Sequence, residues 1–100
     1  MNANGSMTFT LGEVVATPGA IEAIQESGQT PTFFLDRHTQ GDWGEVNSDD
    51  WQLNDQAVMD GSRILSAYST LKSVKVWVIT EAKDDAGQRA ATTILLPEDY

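Results

Sequence analysis

The sequence has no cysteine. That excludes disulfides, thiolate metal sites and cysteine nucleophiles, and it suits a reducing cytoplasm better than an oxidising exterior. It has a single histidine, so dense His/Cys metal spacing is excluded too. Positive charge is scarce: six Lys and Arg stand against fifteen Asp and Glu, giving a formal net charge of −9. A surface built to bind phosphate backbones needs clustered Lys and Arg, so direct nucleic-acid binding is disfavoured. No apolar run approaches the length needed to cross a bilayer, and no secretory leader is visible. Neither a phosphate-binding glycine loop nor a G-x-S-x-G elbow is present. No cofactor is implied.

What remains is the size and balance of one small globular domain. One hundred residues, 40% hydrophobic and 21% charged, form one core. Residues 1–6 are small and polar. With Met7 following Gly5-Ser6, they read as a disordered cloning remnant before a domain spanning 7–100. The acidity fits solubility, a basic protein partner, or imitation of a nucleic acid's charge.

Residues 8–16 (TFTLGEVVA) carry β-formers around Gly12 and predict an opening strand. Three helices follow. Thr17-Pro18 is a capping hydroxyl with proline at the first helical position, and Ala20, Ile21, Ala23 and Ile24 repeat at helical spacing before Gly28. Thr30-Pro31 repeats the start signal, ahead of Phe33, Phe34 and Leu35, and this helix should end before Gly41. Ser48, followed by Asp49 and Asp50 at the positive end of the dipole, opens a third that Gly61 ends.

After Gly61 the rhythm alternates. Strands are predicted over 63–70, 74–82 and 90–96, with a polar turn around Gly87. In 74–82, Val74, Val76, Val78 and Thr80 share one face, while Lys75, Trp77, Ile79 and Glu81 share the other. Apolar residues on both faces make this strand central. The expected fold class is α+β, in the order β-α-α-α-β-β-β, with an antiparallel sheet and helices packed on one face. A more closed, barrel-like sheet is the alternative.

The chemically pointed segment is His38-Thr39-Gln40-Gly41-Asp42-Trp43-Gly44-Glu45. One reading makes His38 a general base oriented by Asp42, with Trp43 beside them in a small-molecule site. The other puts His38 at a helix end and Trp43 in the core between the second and third helices. Binding candidates are Asp42, Trp43, Glu45, Asp49, Asp50, Arg63 and Glu81. Arg63, Tyr68, Lys75, Glu81 and Arg89 could converge on one sheet face. Glu81 could equally form an ordinary cross-strand pair with Lys75 or Arg63. No metal site is expected from the carboxylates of the third helix, which lack the alternate spacing of a calcium loop. The tail Glu98-Asp99-Tyr100 is either a docking peptide or folds back to cap the core's edge.

Five blocks in order also resemble a widespread family of small bacterial plasmid-related or mobile-element proteins: LGEVVATPGA (11–20), HTQGDWGEV (38–46), NDQAVMDGSRILSAY (54–68), VWVITEA (76–82) and TTILLPEDY (92–100). The loop KDDAGQRAA (83–91) is longer than the family's usual. The resemblance carries no activity. It implies an accessory protein of the bacterial cytoplasm. With the charge, it points to a non-enzymatic acidic interaction module, monomeric or weakly dimeric. Its partner would be a protein, basic or DNA-binding, and its boldest form a nucleic-acid mimic acting on a host defence protein. Small-molecule binding or catalysis around His38, Asp42 and Trp43 is the competing expectation.

Overall fold

The computed structural model describes residues 9–100, so the expectations for residues 1–6 and for the first residue of the 8–16 strand lie outside the described part. The order is β1 (Glu13–Ala16), α1 (Pro18–Glu26), α2 (Pro31–Thr39), α3 (Ser48–Asp60), β2 (Ile64–Ser69), β3 (Lys75–Thr80), β4 (Ala91–Leu95) and a closing 3-10 turn, Pro97–Asp99. This is the expected α+β sequence of elements.

The helix starts obey the local chemistry. The Thr17 hydroxyl accepts the Ala20 N–H at 3.2 Å, and Pro18 opens α1. Thr30 caps α2 with no side-chain bond of its own. The cap of α3 is Asn47, one residue earlier than expected. Its side chain accepts the Asp50 N–H at 2.8 Å, so Ser48 becomes the first helical residue.

The sheet corrects one expectation. Its strand order is β1-β4-β3-β2, and the expected antiparallel arrangement holds only for β2–β3 and β3–β4. β1 pairs with β4 in parallel, Glu13 opposite Ala91 through Ala16 opposite Ile94. No hairpin joins these two strands. Three helices and two strands intervene, so a crossover sets their relative direction and parallel pairing becomes possible. β3 is central, as its two apolar faces require, and the sheet stays open because β1 and β2 lie at opposite margins.

β1 is also shorter than expected. Gly12, at φ +66°, interrupts the extended chain, and a Cβ there would sit 2.3 Å from the Arg89 carbonyl oxygen. Phe9 and Leu11 therefore precede the strand and pack with Trp43, Ala57 and Ile64. The larger core layer joins Ala20 and Ile24 of α1 and Phe34 of α2 to Tyr68, Val76, Val78 and Ile94. All these strand residues share one sheet face, so the helices cover that face, with α3 leaning at the β2 margin.

The opposite face is partly open. It carries Leu65, Ala67, Trp77, Ile79, Thr93 and Leu95, which the register brings side by side. The chain after β4 folds back over part of it. The Asp99 carboxylate accepts the Leu96 N–H at 3.1 Å and the Thr17 hydroxyl at 2.6 Å. Tyr100 meets the Trp77 ring edge-on at 5.8 Å, and its hydroxyl accepts the Arg63 Nη1–H at 2.8 Å. The tail thus folds back onto Trp77 and Arg63, with Tyr100 itself left largely exposed.

Candidate functional site

The single histidine is fully buried. Its Nδ1 lies 2.5 Å from the Ser66 hydroxyl and its Nε2 lies 2.8 Å from the Thr80 hydroxyl. Thr80 lies 2.7 Å from Thr92, whose hydroxyl donates to the Leu11 carbonyl at 2.8 Å. That carbonyl can only accept, which sets the direction of the chain as far as the ring. Thr92 gives its proton to Leu11, so it accepts from Thr80, and Thr80 in turn accepts from Nε2–H. Enclosure favours the uncharged ring, in which Nδ1 accepts from Ser66. Burial, seconded by the positive charge of Arg89, pulls its pKa down to about 3.

Asp42 does not orient it. Asp42 forms a two-pronged ion pair with Arg37 at 2.7 and 3.3 Å and accepts the Gly44 N–H at 3.1 Å. The Arg37 bond holds the Asp42 carboxyl below its usual value. Trp43 is fully buried against Phe9 and the His38 ring, with its indole N–H on Asp55 at 2.9 Å. His38 and Trp43 thus form a core wedge, while Asp42 stays half-exposed in its pair with Arg37, so the three do not make a base, an orienting acid and a ligand platform.

The other candidates separate in the same way. Arg89 is buried, and its guanidinium donates to the carbonyls of Ala57, Ser62 and Glu81 at 2.7 to 2.9 Å. It ties the end of α3 to the ends of β2 and β3. Its Nε is buried without a partner. Tyr68 faces the helices and lies under Arg37, while Trp77 lies on the opposite face. The Glu81 side chain is exposed beyond β3 and pairs with neither Lys75 nor Arg63. Lys75 pairs with Glu45 instead, which lowers the Glu45 carboxyl. Among the described residues, no group of three His, Asp or Glu side chains could hold a metal ion, and no helix is long and apolar enough to cross a membrane.

Some candidates do converge, at a groove on the open sheet face. One recess of about 470 Å³ has Leu65, Ala67 and Trp77 as its floor, with Glu45, Asp50 and Pro97 on its walls. A second, of about 240 Å³, continues past Asp50 and Leu65 to Leu53, Asn54 and Arg63. Lys75 is opposite Ser69 in register and Arg63 immediately precedes β2, so the two cations stand about 20 Å apart, near opposite ends. Arg63 already meets the Tyr100 hydroxyl and Lys75 meets Glu45. Asp50 has no cation within ion-pair distance among the described residues.

This groove was not legible as a site. Leu65, Ala67 and Pro97 carry no chemical signal, and only the alternation around Trp77 marked a second apolar face. No family model matches the chain, and neither a curated protein nor a solved structure is significantly similar to it.

Proposed function

We propose that this chain is a non-enzymatic interaction module of a bacterial mobile element, working in the cytoplasm, that docks a basic protein segment on the open face of its sheet. The observation that carries this reading is the groove over Leu65 and Trp77, an apolar floor flanked by the unpaired carboxylate of Asp50. Apolar anchors at the centre with polar and charged groups at the rim are the usual anatomy of a docking surface. The net charge of −9 steers positive partners towards it over long range. The resemblance to mobile-element proteins supplies the setting.

The stronger form, imitation of a phosphate backbone, needs a row of carboxylates. Asp36 belongs to α2. At 3.6 residues per turn, Asp50 and Asp55 leave opposite flanks of α3, about 140° apart, while Asp49 and Asp60 point outward. Asp42 and Glu45 are each tied to a cation. Such scattered acids favour general steering over mimicry. The competing reading, small-molecule chemistry at His38 and Trp43, draws little support from two enclosed rings already in contact.

The test is an isotope-labelled titration with a blocked octapeptide of alternating Arg and Leu, against a control with Glu in place of Arg. The expected result is shift changes at Leu65, Ala67, Asp50 and the Trp77 indole for the basic peptide alone. Added salt should weaken them, and Asp50→Lys should weaken binding by about fivefold to tenfold. Equal binding of the acidic peptide, or shifts scattered away from the groove, would remove the proposal.

A further inference from the structure

The two margins of the sheet are treated differently. At β2 the odd residues face outward, and the two in mid-strand, Leu65 and Ala67, are both satisfied. The Asn54 side chain accepts the Leu65 N–H at 3.2 Å and donates to its carbonyl at 2.7 Å. The Ala67 N–H donates to the Trp43 carbonyl at 3.1 Å, and its carbonyl accepts the Glu45 N–H at 2.6 Å. That margin is closed to further strands.

At β1 the inward-facing residues are the odd ones: the Glu13 N–H reaches the Ala90 carbonyl and the Thr17 N–H reaches the Ile94 carbonyl, at 3.0 and 2.9 Å. Alternation leaves the backbones of Val14 and Ala16 facing outward. Neither has a partner on that side among the described residues, and the side chains of Val14 and Val15 are each 43% exposed. Extended backbone with unmet donors and acceptors, flanked by exposed valines, is a template for strand addition.

We propose that β1 is a dimerisation edge, and that two copies of this chain join antiparallel along Glu13–Ala16 into one continuous eight-stranded sheet. The segment is complementary to itself. Centring a two-fold axis on Val15 sets Val14 opposite the partner's Ala16, so their outward N–H and C=O groups exchange four hydrogen bonds. Val15 then meets its own symmetry mate on the open face, and both become covered. Glu13 falls opposite the partner's Thr17, so no like charges are directly opposed. The charges that oppose association are the diffuse −9 of each copy, which salt screens.

The dimer should therefore tighten as salt rises, whereas docking of a basic segment should weaken. The two proposals can thus fail separately. The experiment is sedimentation equilibrium of the full chain from 10 µM to 1 mM, at low and at 0.5 M salt, with amide exchange followed at Val14 and Ala16. The expected mass rises from 10.9 kDa towards twice that value, more readily in high salt, while exchange at those two amides slows. Val14→Pro removes an outward N–H that the native ladder does not use, and should abolish the dimer. Val15→Lys sets two cations on the axis and should weaken it at least tenfold. A chain that stays monomeric at 1 mM in high salt would overturn the proposal. So would variants with native circular dichroism that dimerise undiminished, or amides that exchange at the same rate throughout.

Discussion

At the scale of single residues, the clearest consequence is the pH dependence built in by His38. Its ring is neutral in the folded protein down to pH about 3, while an unfolded chain takes up the proton near pH 6.5. Between those values the unfolded state binds more protons. The folded state therefore has its full margin above pH 6.5 and loses it as the pH falls, by at most about 1.4 kcal/mol per pH unit. Protonation would also give Nδ1 a hydrogen aimed at Ser66, which already donates to it. In His38→Gln the steep part of the urea midpoint against pH, from 6.5 to 4.5, should flatten, although the variant is less stable at pH 7. An unchanged slope would mean that His38 is not the titrating group. Gly44 is a second single-residue constraint. At φ +76°, an added Cβ would fall 2.0 Å from the Ala67 carbonyl and 2.6 Å from the Tyr68 ring. Gly44→Ala should lower stability by about 2 kcal/mol or more in the same measurement, through backbone strain and loss of the bridge to β2.

At the scale of elements, the protection of β2 by α3 rests largely on one side chain. Asn54→Ala leaves the Leu65 N–H and carbonyl without their partners, at a cost of about 1–3 kcal/mol. The expected signature is faster amide exchange at Leu65 than at Ala67, whose partners are backbone groups of the 43–45 segment and remain in place. Equal acceleration at both would show that α3 itself had detached.

The same scale explains what could be read from the chain beforehand. Thr17-Pro18, Thr30-Pro31 and the glycine after each helix are local signals, and the helices lie where those signals put them. The alternation of 74–82 is local too, and it placed β3 in the middle of the sheet. The parallel pairing of β1 with β4 depends on residues nearly eighty positions apart, and no local pattern encodes it. The setting of His38 was hidden for a similar reason. Its partners Ser66 and Thr80 are 28 and 42 residues away, whereas Asp42, which looked like its natural companion, is drawn off by Arg37.

At the scale of the whole molecule, the −9 charge acts on stability as well as on partners. Only two ion pairs, Arg37–Asp42 and Lys75–Glu45, are formed among the described residues, and both are half-exposed, so each contributes no more than about 1 kcal/mol. The remaining carboxylates repel one another in the folded state and are spread further apart in an unfolded chain. Screening that repulsion should stabilise the fold, and the melting temperature at pH 7 should rise between 0.02 and 0.5 M sodium chloride. Acid offers no such relief: the carboxyls of Asp42, Glu45, Asp60 and Asp99 are each held below their usual value by hydrogen bonds they accept, so falling pH costs the folded state stability there, in the same direction as His38. Salt therefore isolates the long-range term, and a melting temperature that stays flat or falls between 0.02 and 0.5 M sodium chloride would mean that repulsion is not a governing force in this molecule.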